Sequence, residues 1–382
     1  MPAYRRRTWW DVAATAALVA AACSEATAPK LNDPAQLNAD LQAVSVVFQS
    51  AIFRSFSTLL AQPGVPASAA LMRAGALVRA TTPAALQRAR QPYVESAARA
   101  EALRQFALAM SPAGTMLSVI PDMLKGKTFV WNTDLARYSI DQTRTDADPN
   151  GVRFELYRID PATKLPADNP PTAIAELDLI DRSTTDTYKL EVVVSPTPEF
   201  GALSRFVDYT ITATTQGNPV TFFQAAAVGF VSDGFGFHRL DFNATFTVTN
   251  PSSETPNIAV NVTWTFNNPA LSVAVHESVT WQDPSHLTLS INSSVAHGQT
   301  VALGGIVRMA FGATDTTLTA NLAMTVDGAV FARITGTTPN IQFSPSTLNE
   351  EELLALVNMF ALAVEVEDTM QSLFDPLEHF VI

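Results

Sequence analysis

Cysteine is almost missing from this chain: Cys23 is the one thiol in 382 residues. No intrachain disulfide can form, so the folded part must stand on packing alone, even in an oxidising compartment. Basic clusters are missing too, beyond the first few residues. A phosphate backbone is held by grouped Lys and Arg; with 24 basic against 36 acidic side chains and a net charge of −12, nucleic acid is excluded as a partner. No apolar run is long enough to cross a bilayer as a helix. The stretch Val12 to Ala22 is 11 residues, where a span needs roughly 20. Histidine is scarce, and none of the five shows the spacing of a metal site. There is no Gly-x-Ser-x-Gly elbow and no glycine-rich phosphate loop after a strand. What remains is ample apolar material, 47% of residues, enough for a large core.

The first residues have a different character. Arg5, Arg6 and Arg7 precede the apolar stretch, and Ala20, Ala21 and Ala22 lead directly to Cys23. A basic start, a short apolar run and small residues before a cleavage point make an export signal. The pattern resembles a bacterial lipoprotein signal, in which the cysteine becomes the first mature residue and carries lipid; Ala20 stands where that family has Leu or another branched residue. The resemblance covers residues 1–23 only. It implies a signal peptide over 1–22, lipid attachment at Cys23, and a protein anchored by its N-terminal lipid on the periplasmic face or surface of the outer membrane. The three alanines suit an ordinary signal peptidase as well, which would leave a soluble secreted protein with a free thiol. Arg6, Arg7, Trp9 and Trp10 also look like a twin-arginine signal, with Asp11 opposing that family's lysine. Removing residues 1–22 takes away three arginines and one aspartate and moves the charge from −12 to −14.

Residues 23–32 are small and polar and are expected to form a tether. A helical region is expected over 33–125. Asp33 suits a cap and Pro34 a first turn, and Leu37, Leu41, Val44, Phe48, Ile52, Phe56 and Leu59 recur at spacings of three and four on one continuous face.

Near Lys127 the period changes to two, opening an antiparallel β-domain expected over 126–343. Leu240, Phe242, Ala244, Phe246 and Val248 alternate with polar residues, and Ile258, Val260, Val262, Trp264 and Phe266 repeat the pattern. Short turns such as Asn250-Pro251 and Asp327-Gly328 join neighbours antiparallel. The fold class expected is α+β: a long antiparallel meander forming a curved sheet or half-barrel. Its apolar face is expected to pack on the N-terminal helices and on an apolar C-terminal helix over 344–382, started by a capping box at Thr347 and Glu350 and continued by Leu353 to Val364.

Candidate sites are few. Asp146, Asp148, Asn150 and Gly151 match the first half of a calcium loop, but Tyr157 stands where the bidentate Glu belongs. They are read instead as a polar turn, with no calcium dependence expected. His276-Glu277 begins a zinc-helix motif that Thr280 ends, on a strand. Asp233, Gly234, Gly236 and His238 read as a glycine-rich hairpin. Trp131, Tyr138, Phe154 and Tyr157 are read as core packing before a ligand surface. No cofactor and no catalytic residue is assigned. The expected function is a non-catalytic cell-envelope lipoprotein of structural or interaction type. The layout also looks like the periplasmic carriers whose half-barrel cradles acyl chains, which would make the partner a hydrophobic ligand rather than an envelope protein. An exported hydrolase and an outer-membrane barrel rank lower.

Overall fold

The computed structural model describes residues 30–48, 50–59, 64, 104, 107–108, 118–201, 204–312, 316–344 and 351–352. Among the described residues, the helices α1 (Pro34–Phe48) and α2 (Ala51–Leu59) precede one sheet of fifteen strands. In chain order these are β1 (Lys127–Asn132), β2 (Arg137–Asp141), β3 (Gly151–Tyr157), β4 (Ala173–Asp181), β5 (Tyr188–Pro196), β6 (Val207–Gln216), β7 (Phe222–Ser232), β8 (Arg239–Thr249), β9 (Asn257–Asn267), β10 (Ala270–Asp283), β11 (His286–His297), β12 (Gln299–Phe311), β13 (Thr316–Val326), β14 (Ala329–Thr337) and β15 (Asn340–Ser344). Spatial order follows sequence order from β3 to β15, and each of those strands is antiparallel to the next. The sheet is open, with β2 and β15 as its edges.

The antiparallel expectation needs one correction. β1 pairs antiparallel with β2 on one side but parallel with β3 on the other. The β1–β2 hairpin sends β2 to the edge, and residues 142–150 then return past β1, only about 10 Å or two strand spacings. The crossover that a parallel pair needs is made by β2 and this loop together.

One face of the sheet is a continuous core. In β8 and β9 the two predicted rows, Leu240 to Val248 and Ile258 to Phe266, are the buried ones. Asn243, Asn257, Asn261, Thr263 and Thr265 stand exposed on the other face. Alternation is the direct result of strand geometry with one face buried.

The N-terminal helices are a strap on this face. Ser50 divides what reads as one helical face: its Oγ accepts the Phe53 N–H at 3.1 Å and so caps a new helix. Ile52, Phe56 and Leu59 are buried from α2, which lies against β3 and β4, and Phe56 meets Tyr209 of β6 edge to face at 6.5 Å. α1 is fixed eight strands from β3, where Asp40 Oδ2 lies 2.7 Å from His297 Nε2 at the end of β11. Eight strand spacings make an arc of about 38 Å, whereas Asp40 to Ser55 along the helices is about 22 Å. A chord shorter than its arc belongs on the inside of a curved sheet.

Leu31 is buried, and Gln299 binds the chain on either side of it. Its Nε2 donates to Lys30 O at 3.1 Å and its Oε1 accepts from Asn32 N at 2.7 Å. The tether expected over 23–32 therefore ends before Lys30. Residues 1–29, with Cys23, and the apolar segment Leu353 to Val364 lie outside the described residues, as do most of those read as helical between 60 and 117. Of the segment 344–382 three residues are described: Ser344 ends β15 and so is strand, while Glu351 and Glu352 are helical and Glu352 is buried.

Candidate functional site

The strands end in two rims. At one lie the β1–β2 turn, the β5–β6 connection, the β7–β8 hairpin, the β11–β12 turn at Gly298 and the start of β14. At the other lie the 142–150 loop and the β8–β9 and β10–β11 turns.

The calcium-like residues are on the second rim, and guanidinium groups use the key carboxylate. Asp146 Oδ2 accepts from Arg144 at 2.5 Å and from Arg153 at 2.9 Å, while Oδ1 accepts from Thr128 Oγ1 at 3.3 Å. Arg153 forks onto Asp178 with bonds of 2.7 and 2.9 Å, and both arginines reach Glu176, at 2.9 and 3.0 Å. Arg144 also binds Glu155. Asp148 caps its own turn through the Asn150 N–H at 2.8 Å. The hydrogen bond from Arg144, ahead of the opposing effect of burial, holds the Asp146 carboxyl well below the usual carboxylate range. Two cations knit the outer face of β3 and β4 to the loop, so the Asp-rich spacing serves a structural pairing.

Arg144→Ala is accordingly expected to cost about 1–2 kcal/mol at pH 7, between the values of an exposed pair and a charged hydrogen bond. The sign of its pH dependence follows from Asp146. A carboxyl lowered in the folded state contributes stability above its unfolded value of about 3.9, and that contribution is lost as pH falls through the folded value. The gap between wild type and variant should narrow below about pH 4. Urea denaturation at pH 7 and pH 3 checks it, and a constant gap would refute the role of Asp146.

The aromatic set is brought together as core. Tyr138 meets Trp131 at 5.6 Å, Phe154 at 6.0 Å and Tyr157 at 6.1 Å, and Phe129 stacks on Phe154 at 4.8 Å. The Tyr138 hydroxyl donates to Glu155 O and the Tyr157 hydroxyl to Glu155 Oε2, both at 2.7 Å. Burial is the main cause that pushes both phenols upward. Buried rings with satisfied hydroxyls make packing.

The structure disperses the described histidines. His276 pairs with Asn261 at 2.9 Å on the outer face, His286 with Asp283 at 2.9 Å on the second rim, and His297 with Asp40 inside. His238 bonds Asn268 O at 2.9 Å and stacks on Phe266. His379 lies outside the described residues. Among the described residues, no group of three His, Cys, Asp or Glu side chains could hold a metal.

Sequence reasoning missed the first rim. In the β7–β8 hairpin, Asp233 Oδ1 accepts from the N–H groups of Phe235 at 2.8 Å and Gly236 at 3.0 Å, and Oδ2 from that of His238 at 2.9 Å. One carboxylate thus holds the tip in shape. Gly234 turns at φ +74 with the Phe206 ring against it, where a Cβ would lie 2.4 Å from that ring. Phe235 leans on Phe200 at 6.4 Å, yet remains 44% exposed, and Phe237 is 68% exposed. The Phe-Gly-Phe spacing was the available signal. Farther along this rim, a cavity of about 200 Å³ lies beneath the Gln299 clasp, lined by Leu31, Gln36, Leu37, Val295, Gln299 and Val301.

Comparison with family models, with curated proteins and with solved structures finds no match to this chain.

Proposed function

We propose that this is an exported, non-catalytic protein of the cell envelope, held at a membrane through lipid on Cys23, whose sheet serves a structural or interaction role. The observation that carries the reading is how the chain joins its fold. Seven residues after Cys23 the backbone is clasped by Gln299 at Lys30 and Asn32, and the next elements run as a strap across the sheet. An anchor placed there pulls on the fold's own core and not on a loose tail. Over β3, β4 and β6 the concave face is covered by Ile52, Phe56 and Leu59 of the same chain, which suits a solid body more than a vessel. The cavity under the clasp, about 200 Å³, is below the roughly 300–1,000 Å³ of small-molecule sites. The outward Thr and Asn face is also the reverse of a membrane barrel, whose outer band must be apolar. No helix among the described residues is long and apolar enough to cross a membrane.

Cys23→Ser is expected to move the protein from the membrane fraction to the soluble fraction with its thermal midpoint unchanged. Fractionation after a carbonate wash, with the mass of the N-terminal peptide, checks this. A variant that stays membrane-bound after the wash would show that lipid on Cys23 is not the anchor.

A further inference from the structure

The apolar side chains left outside this fold are not scattered evenly. Eight large ones stand exposed among the described residues, and four of them, Leu135, Phe235, Phe237 and Val330, are on the first rim. The two phenylalanines are the only aromatic residues among the eight, and they share one short tip. Solvent-exposed aromatic rings on a hairpin held rigid by a single carboxylate are costly to keep in water without use. Phe rings lose that cost when they enter the apolar part of a bilayer.

The Gln299 clasp is on the same rim, between β11 and β12, and with lipid on Cys23 it sets which surface this rim faces. The β7–β8 tip is four strands away, about 19 Å along the sheet. Cys23 precedes Lys30 by seven residues, which reach at most about 25 Å. Strands of eleven residues are about 36 Å long, so the opposite rim is beyond the tether's reach when the strands stand on the membrane. We propose that the first rim is the membrane-facing end of the protein, and that Phe235 and Phe237 insert among the lipid chains as a second attachment beside the lipid on Cys23. The inference rests on the lipid-anchor reading for its tether length. The aromatic tip itself does not depend on it.

The test uses thiol labelling of the full protein. With Cys23 lipidated, Phe237→Cys supplies the one free thiol; Ser252→Cys, exposed in the β8–β9 turn, supplies it at the opposite rim. Each is labelled with a polarity-sensitive dye and reconstituted in phosphatidylcholine vesicles, uncharged because the chain is acidic. The Phe237→Cys label should shift to the blue and be quenched by bromine-labelled lipid, while the Ser252→Cys label stays in water. A Phe237→Cys label that stays in water on a vesicle-bound, lipidated protein overturns the inference and leaves the anchor standing, with a protein partner for the tip in its place. If the N-terminal mass shows no lipid, the anchor reading has failed, and the Cys23→Ser chain decides the matter. Its Phe235→Ser, Phe237→Ser double variant should bind the same vesicles at least about tenfold more weakly than its parent; equal binding, or none by either, overturns the inference.

Discussion

Cutting Ile52 and Phe56 back to alanine together is expected to unfold much of the population, or at the least to lower the thermal midpoint by about 10 °C. Both side chains are fully inside, and Phe56 meets Tyr209 in the middle of the sheet. Truncating one such residue costs about 2–5 kcal/mol. Two in contact with one surface remove about 5 or more, and a domain has about 5–15 to lose. The same change at Gln36 and Asp40, polar positions of α1, should cost far less, because there only side-chain bonds are lost. Circular dichroism on heating, together with dye binding to exposed apolar surface, checks both variants. A double variant with the wild-type midpoint would mean that the strap is not what covers the concave face, and the lipid anchor would then pull on nothing structural.

Strand alternation was legible because burial on one face imposes a period of two, as Leu240 to Val248 and Ile258 to Phe266 show. The break at Ser50 was not, since Phe48 and Ile52 keep the helical spacing across it. Periodicity reports a face and is silent on whether the axis is continuous. The parallel pairing of β1 with β3 was equally hidden, because turn chemistry sets which strands are joined, not on which side the third one lands.

The sites divide along the same line. Asp146 and Asp148 were found as a calcium-like spacing better read as a polar turn, but their pairing with Arg144 and Arg153 was not, because Glu176 and Asp178, which complete the arginine network, lie on another strand. Carboxylates at alternate positions suit a cation of either kind, and only the fold brings the guanidinium groups to them. The Gln299 clasp joins residues 269 apart, a distance at which a single sequence carries no signal. The hairpin at Asp233 was legible as a turn. What could not be read was that Phe235 and Phe237 would stay outside, since aromatic residues most often fill cores.

Adjacent glycines in β12 should respond to alanine in opposite ways. Gly305 has φ +144, and a Cβ there would lie 2.2 Å from Asn321 O and 2.9 Å from Leu322 Cα, both backbone atoms of β13. Neither can yield without parting the two strands, so Gly305→Ala combines backbone strain with overpacking, each costing about 1–3 kcal/mol. Gly304 has an ordinary backbone, and its Cβ would meet nothing nearer than Ile291 O at 3.9 Å. Gly304→Ala should be neutral or raise stability by up to about 1 kcal/mol, by restricting the unfolded chain. The expected gap between the two variants is therefore about 2 kcal/mol or more, read as a difference in urea midpoint at equal slope. The pair also probes the curvature. A strand that bends inward needs a residue without Cβ where its neighbour's backbone closes over it, and Gly305 stands in the row of Val301, Leu303, Val307 and Met309, whose side chains are buried. If alanine at 305 were as harmless as alanine at 304, β12 and β13 would lie farther apart than this close approach requires, and the sheet would be flatter than the strap across its face demands.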